Sequence, residues 1–168
     1  MSPGELDRCA LLLARTRLHT VNAERAISAF SRAGEHGACW LALGLAGASL
    51  ARDDSRRRTW LRGMRIVFGA YGLNYAVKLA VRRHRPQLDG LEPLTPTVSR
   101  LSFPSAHATT SFAAARAFSG AAPAGGLYAV AVAFALSRPY LGVHYPSDVV
   151  AGAVLGTAVA EVWPGVQR

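Results

Sequence analysis

Three short motifs place cationic, hydroxyl and imidazole side chains at fixed spacings along the chain. They are the segments Lys78–Pro86, Phe103–His107 and Ser137–Asp148. A guanidinium group holds phosphate oxygens through two parallel N–H donors, while an ammonium group acts as a point charge. A serine hydroxyl beside the free N–H groups of a helix start supplies further donors. The motifs therefore predict a phosphate-binding site with the candidate residues Lys78, Arg85, Ser105 and Arg138.

Two histidines and one aspartate within the same motifs supply the groups that a phosphate-transfer reaction needs. His144 could attack phosphorus while Asp148, four residues later, holds its ring in the reactive tautomer. His107 could protonate the departing alkoxide, and water would then hydrolyse the phosphohistidine. Taken singly, His107 also fits a packed histidine, and the pair His144 and Asp148 fits a structural hydrogen bond. The three motifs together favour a reaction site.

The elements that must position these residues are apolar helices. Five stretches contain no Asp, Glu, Lys or Arg: Gly37–Leu50, Ile66–Val77, Leu101–Ala115, Ala117–Ser137 and Val149–Ala160. When the flanking residues are included, these stretches predict an all-α, integral-membrane bundle of about five spans. Their hydropathy alone is also compatible with a soluble helical protein. In a five-span bundle, the three motifs fall at the same mouth. The predicted loops are Arg52–Arg62, Arg82–Arg100, Ser119–Gly126 and Pro139–Pro146, and the basic run Arg82–His84 fits a membrane-surface anchor.

The N-terminal region differs from the five apolar stretches. Within Glu5–Arg32, apolar residues recur at helical spacing from Leu11 to Val21, but Arg25 falls on the same stripe. We expect an amphipathic helix that lies on the membrane or packs against the bundle. The chain is thus predicted to be one domain, 1–168, with an interfacial helix over 1–35 and a catalytic bundle over 36–168.

Composition narrows the classes of function. Hydrophobic residues make up 51% of the chain, enough apolar side chain to exclude a disordered protein. Charged residues make up 17%, whereas an average soluble protein has about 25%. The net charge is +9, but its arginines lie between apolar runs and form no nucleic-acid-binding fingerprint. Cys9 and Cys39 lack metal-ligand spacing. We therefore expect a multi-pass protein of the cell membrane, with the lipid bilayer as its partner and no nucleic acid; the oligomeric state is not predicted.

The motif set resembles that of the type 2 phosphatidic acid phosphatase superfamily. That family's pattern is K-x6-R-P, then P-S-G-H, then S-R-x5-H-x3-D, and it is matched here from Lys78 to Asp148. The resemblance implies a metal-independent lipid phosphatase without cofactors, which hydrolyses a phosphomonoester through a phosphohistidine. It implies His144 as nucleophile, His107 as general acid and Asp148 as orienting partner, with phosphate bound by Lys78, Arg85, Ser105, Ala106 and Arg138. Ala106 departs from the family's usual glycine, which would make a positive φ costly.

Finer similarity indicates a substrate. The segments Ser31–His36 and Phe103–Ala108 are similar to those of the branch that dephosphorylates decaprenylphosphoryl-5-phosphoribose for cell-wall arabinan precursors. The alternatives are a general phosphatase for undecaprenyl diphosphate, phosphatidylglycerophosphate or phosphatidate, a non-enzymatic membrane lipid binder, and a soluble haloperoxidase-like enzyme. Two further expectations concern other residues. Arg116 either pairs with Glu161 or faces an internal polar site. Tyr71, Asn74 and Tyr75 are placed to line the site, although packing is the more common role for the two tyrosines.

Overall fold

The computed structural model describes residues 3–17 and 19–164. Within these residues the chain is helical, and the only strand-like pairing is an isolated bridge between His84 and Leu101. The helices are α1 (Pro3–Thr16), α2 (Val21–Ala33), a short 3-10 helix (Glu35–Gly37), α3 (Ala38–Ser49), α4 (Asp54–Val81), α5 (Ala106–Phe118), α6 (Ala124–Tyr140) and α7 (Pro146–Val162). The prediction of an all-α fold is confirmed.

Helices α3 to α7 follow the order of the five predicted apolar segments, with different bounds. The predicted loop Arg52–Arg62 is wrong, because α4 already begins at Asp54 and runs for 28 residues. The Asp53 side chain caps this helix by accepting a hydrogen bond from the Arg56 backbone N–H, at 2.8 Å. Arginine is itself a good helix former, so a basic run does not end a helix. The third predicted segment begins at Leu101, but α5 begins only at Ala106. Residues 101–105 form an irregular segment beside the site.

The N-terminal region forms two helices, where one was predicted. Thr20 starts α2 by accepting a hydrogen bond from the Ala23 backbone N–H, at 3.2 Å. Because the chain bends here, the predicted stripe does not continue: Leu11 is fully buried, whereas Val21 is 61% exposed. Leu18, also on that stripe, lies outside the described residues. Both helices pack against the bundle, α1 on α6 and α7, and α2 on α6.

Helix α5 lies at the centre of the bundle, between α4, α6 and α7. Nine of its 13 residues are buried. Gly152 and Gly156 allow α7 to approach it closely: a Cβ at Gly152 would lie 2.5 Å from the Ser105 carbonyl oxygen, and one at Gly156 would overlap the Thr109 carbonyl. This contact fixes the start of α5 against the start of α7, where the Ser105 N–H donates to the Asp148 carbonyl at 2.9 Å.

None of the helices in the described part of the chain has both the length and the apolar character required to cross a membrane.

The last two connections of the bundle are short. The predicted loop Ser119–Gly126 narrows to the residues between Phe118 and Ala124, and the predicted loop Pro139–Pro146 narrows to those between Tyr140 and Pro146. Short connections make α5, α6 and α7 antiparallel neighbours, so the end of α6 returns to the start of α5.

Candidate active site

The three motifs meet at one end of the bundle, around a cavity of about 110 Å³. The motif residues that line it are Lys78, Arg85, Ala106, His107, Arg138 and His144. They come from the end of α4, the α4–α5 loop, the start of α5, the end of α6 and the α6–α7 loop. Ser105 and Asp148 are fully buried beside this set and do not line the cavity. The structure thus brings together the residues that sequence spacing grouped.

The three cations are held by neutral oxygen atoms. Lys78 Nζ donates to the Leu101 carbonyl at 3.3 Å, and Arg85 Nη1 donates to the Val143 carbonyl at 2.7 Å. Arg138 Nη1 donates to a serine hydroxyl at 2.6 Å. Across the described residues, no carboxylate forms an ion pair with any of the three. Buried positive charges without a counter-ion produce a strong attraction for an anion.

Further hydrogen-bond donors are free for such an anion. Ser105 Oγ and Arg138 Nε are buried and make no hydrogen bond within the described part of the chain. Buried polar atoms are nearly always satisfied, so two unpartnered donors beside a cationic cavity fit a site for a ligand oxygen. Burial lowers the pKa of Arg85 to about 10, which leaves the guanidinium charged at neutral pH.

The position of Ala106 resolves the departure from the family pattern. Among the described non-glycine residues, only His36 and Arg82 have a positive φ. Ala106 is instead the first residue of α5, in ordinary helical conformation. The alanine therefore causes no backbone strain, and its N–H is one of those at the helix start that have no partner within the helix.

His144 is held in the tautomer that a nucleophile requires. Its Nε2 lies 3.1 Å from Arg85 Nη1, and its Nδ1 lies 3.5 Å from Asp148 Oδ2, a close approach without hydrogen-bond geometry. An arginine can only donate, so Nε2 is the acceptor and the proton resides on Nδ1, toward the carboxylate. Burial lowers the pKa of His144 well below its ordinary value, and the charge of Arg85 adds to this effect. The ring is therefore neutral at neutral pH, and the electron pair on Nε2 accepts from Arg85.

Asp148 is positioned by the start of α7 and by an arginine. It is the third residue of the helix, where Oδ2 accepts from the Tyr145 N–H at 2.9 Å, while Oδ1 accepts from Arg83 Nη1 at 2.9 Å. For Arg83, the sequence-based interpretation as a surface anchor is wrong. It also binds Asp7 of α1, at 2.7 Å. No spacing relates Asp7 to the motifs, so sequence analysis had no signal for this contact.

His107 is held differently. Its Nε2 donates to the Ser31 carbonyl at 2.9 Å, and the Ser31 hydroxyl is the group that accepts from Arg138. Ser31 lies near the end of α2 and is fully buried. His107 Nδ1 has no hydrogen-bond partner among the described residues, which leaves it available to a ligand in the cavity. Ser31 was noted in the sequence only as part of a similar segment, and its role follows from the fold.

Part of the cavity lining is polar and aromatic. Tyr71, Asn74 and Tyr75 all belong to it, so the two tyrosines line the cavity, where packing was the more common expectation. Asn74 also has a structural task, since Nδ2 donates to Thr109 Oγ1 at 2.9 Å. Glu35 and His36 complete this part, with His36 Nδ1 at 2.7 Å from the Tyr71 hydroxyl.

One other predicted contact lies at the far ends of α5 and α7, away from the cavity. The predicted pairing of Arg116 with Glu161 is confirmed, with Arg116 Nη2 at 3.1 Å from Glu161 Oε2. Among the described residues, no group of three or more His, Cys, Asp or Glu side chains could hold a metal ion. The neighbouring acids Asp53 and Asp54 lie at the α3–α4 connection, at the other end of α4 from the cavity.

Residues 61–167 match the family described as the PAP2 superfamily. The chain is 43% identical over 133 residues to the decaprenylphosphoryl-5-phosphoribose phosphatase of Mycobacterium tuberculosis, covering 79% of this chain and 73% of that protein. It is 46% identical over 126 residues to the phosphatase of the same name in Mycolicibacterium smegmatis, covering 74% of this chain and 68% of that one.

Two solved structures have the same fold. Aquifex aeolicus LpxE superposes with a TM-score of 0.72 at 19% identity, covering 94% of this chain and 93% of that one. A transmembrane PAP2-type phosphatidylglycerolphosphate phosphatase from Bacillus subtilis superposes with a TM-score of 0.56 at 23% identity, covering 100% and 99%. The match to the family model and the identity with the two mycobacterial phosphatases confirm the family resemblance that the three motifs indicated.

Proposed function

Because the chain belongs to the PAP2 superfamily, and is thereby a phosphoric-ester hydrolase, we propose that it cleaves a lipid phosphomonoester through a phosphohistidine at His144. The observation that carries the proposal is the environment of His144. Its unprotonated Nε2 lies against Arg85 at the edge of a cationic cavity, and its Nδ1 faces a buried carboxylate. A neutral imidazole beside a phosphate clamp is a nucleophile for phosphorus.

In the first step, His144 Nε2 forms a bond to phosphorus, and the bond from phosphorus to the ester oxygen breaks. His107 enters this step as an imidazolium, with one proton on Nε2, donated to the Ser31 carbonyl, and the other on Nδ1, the ring nitrogen without a protein partner; the leaving alkoxide takes the Nδ1 proton. Lys78, Arg85 and Arg138 stabilise the negative charge on the equatorial oxygens. Asp148 stabilises the positive charge that His144 acquires.

In the second step, water replaces the alcohol. His107, now neutral, takes a proton from the water as the oxygen attacks phosphorus, and the bond between phosphorus and Nε2 breaks. Inorganic phosphate leaves, and both histidines return to their starting protonation states. The residues in these steps are His144, His107, Asp148, Lys78, Arg85, Ser105, Arg138 and the backbone N–H of Ala106.

The proposed setting is the cell membrane, with α3 to α7 as five spans and α1–α2 as an interfacial segment. Large apolar side chains exposed on the outside of the bundle support it, including Phe68 at 72%, Leu136 at 61% and Val154 at 64%. Helices α6 and α7 have 17 residues each, which gives a length of about 26 Å and approaches the thickness of the hydrocarbon core. The transmembrane relative from Bacillus subtilis has the same fold.

The proposed substrate is decaprenylphosphoryl-5-phosphoribose, from which the 5-phosphate would be removed. Two relatives carry this activity in their names. Glu35, which lines the cavity, favours a sugar over a second phosphate, because a carboxylate accepts hydrogen bonds from hydroxyl groups and repels an anion. The alternatives are a general phosphatase for undecaprenyl diphosphate, phosphatidylglycerophosphate or phosphatidate, and a lipid binder without catalysis.

The test is phosphate release by the detergent-purified full chain in the presence of EDTA, with His144→Ala as control. The panel contains decaprenylphosphoryl-5-phosphoribose and the three alternative lipids. We expect release that survives EDTA, disappears in the variant and is fastest with the phosphoribose lipid. Equal rates on all four lipids would favour the general phosphatase. No release from any of them would leave the lipid binder.

A further inference from the structure

A carboxylate from α1 lies behind the nucleophile, outside the region that matches the family. Asp7 is 8% exposed. Its Oδ1 accepts from the Ser147 N–H at 2.9 Å, and its Oδ2 accepts from Arg83 Nη2 at 2.7 Å and from the Ser147 hydroxyl. Burial alone would raise the pKa of Asp7, but the hydrogen bonds from Ser147 and Arg83 outweigh it and hold the pKa below its ordinary value. Asp7 is therefore ionised at neutral pH.

Arg83 is shared between two carboxylates. Nη2 binds Asp7, while Nη1 binds Asp148 Oδ1 at 2.9 Å and Ser147 Oγ at 2.7 Å. The guanidinium carbon lies 4.1 Å above the Tyr145 ring. Both ends of the planar group are occupied, so its orientation is fixed although the side chain is 31% exposed. A continuous chain of contacts thus runs from Asp7 through Arg83 and Asp148 to His144.

We propose that Asp7 is a positioning residue for the nucleophile, acting through Arg83 on Asp148; this rests on the proposed function. Asp7 holds the guanidinium in place and balances part of its charge. Without that second carboxylate, Arg83 would neutralise Asp148 alone and draw its Oδ1 away from the bundle. Less negative charge would then face His144 as its ring becomes cationic in the first step. Asp7 lies apart from the phosphate cavity, so its effect falls on chemistry and not on binding.

The experiment compares Asp7→Asn with the unaltered full chain, in detergent, on the preferred lipid phosphate. We expect kcat to fall by about 10- to 100-fold, the range for groups that orient a reacting side chain. KM, and the inhibition constant of inorganic phosphate, should stay within about twofold, because Lys78, Arg85 and Arg138 are untouched. Asp7→Glu, which restores the charge, should recover part of kcat.

The matched control is Asp89→Asn. It makes the same chemical change in the other ion pair of α1, between Arg8 and Asp89 at 3.8 Å, where both side chains are largely exposed. It should leave kcat within about twofold, since exposed pairs contribute little. If Asp7→Asn lowers the melting temperature too far to assay, the single variant Arg83→Gln is compared with the double variant that carries both Asp7→Asn and Arg83→Gln. Without Arg83, loss of Asp7 should change kcat no further.

The proposal is overturned by any of three results. These are a kcat for Asp7→Asn within about twofold of the unaltered chain, a rise in KM and in the phosphate inhibition constant equal to the loss in kcat, or additive losses in the double variant. The proposed function fails separately. In that case the unaltered chain would release no more phosphate than His144→Ala, whatever residue stands at position 7.

Discussion

The two histidines of the site are supported in opposite ways. His144 faces the carboxylate of Asp148, which is linked through Arg83 to a second carboxylate, Asp7. His107 instead donates to a neutral oxygen, the Ser31 carbonyl. One histidine thus has charged support and the other has none.

In the proposed mechanism the two rings have different tasks, and these tasks explain the difference. The nucleophile gains positive charge when its bond to phosphorus forms, so a nearby carboxylate stabilises the transition state. The acid must give its proton away, and a full negative charge on its other nitrogen would oppose that. A carbonyl fixes the ring orientation at a smaller electrostatic cost. Both supports come from the N-terminal helices, Asp7 from α1 and Ser31 from α2.

The largest expected effect is the loss of kcat when either histidine is replaced, and the two losses should depend differently on the leaving group of the substrate. His144→Ala should lose at least about 10⁴-fold in kcat on every substrate, because no other group forms the covalent intermediate. His107→Ala should lose about 10²- to 10⁴-fold on an alkyl phosphate, and far less on p-nitrophenyl phosphate, whose phenolate leaves without a proton. Steady-state rates on both esters measure this. An equal loss for His107→Ala on the two esters would remove the assignment as general acid.

Among these variants, the largest effect on stability is expected at the close contact between α5 and α7. Gly156→Ala inserts a methyl group against the Thr109 backbone, between α5 with His107 and α7 with Asp148. We expect a loss of about 1–3 kcal/mol in the free energy of unfolding. The matched control is Gly72→Ala in α4, where the new methyl meets no atom within 4 Å and helix propensity should add about 1 kcal/mol. Denaturant titration in one detergent compares them, and a neutral Gly156→Ala would refute the close contact.

A smaller effect tests whether the acid side also serves binding. Ser31→Ala removes the hydroxyl that accepts from Arg138 Nη1 but keeps the carbonyl that holds His107. We expect KM to rise about tenfold, because losing one hydrogen bond to a charged group weakens binding by about this factor. The value of kcat should stay nearly unchanged. This is the reverse of the pattern for Asp7→Asn. A change in kcat alone would mean that the two supports do the same task.

The smallest effect is expected at the start of α5. Ala106→Gly restores the usual family residue, yet Ala106 already has helical backbone conformation. Activity should therefore stay within about twofold. Initial rates on the preferred lipid measure it. A large gain would show that the alanine methyl obstructs the cavity that it lines.

Much of the bundle could be predicted from local pattern. Apolar stretches specify helices α3 to α7, and the motifs at their ends specify which ends must meet, since consecutive helices with short connections run antiparallel. The errors were local. A basic run at Arg56–Arg58 was interpreted as loop although Asp53 caps a helix there. The bend before Thr20 was missed because a weak stripe continued through it.

The sequence by itself determined the candidate chemistry: the types and spacing of Lys78, Arg85, His107, Arg138, His144 and Asp148 predict a phosphate site with a nucleophile and an acid. Only the tertiary structure decided what holds those groups. Asp7 and Ser31 lie far from the motifs in sequence: Asp148 is 141 positions after Asp7, and His107 is 76 positions after Ser31. A single aspartate or serine has no periodicity and no fixed spacing to a motif. Its role arises from where two N-terminal helices pack, and that depends on the shape of the whole bundle.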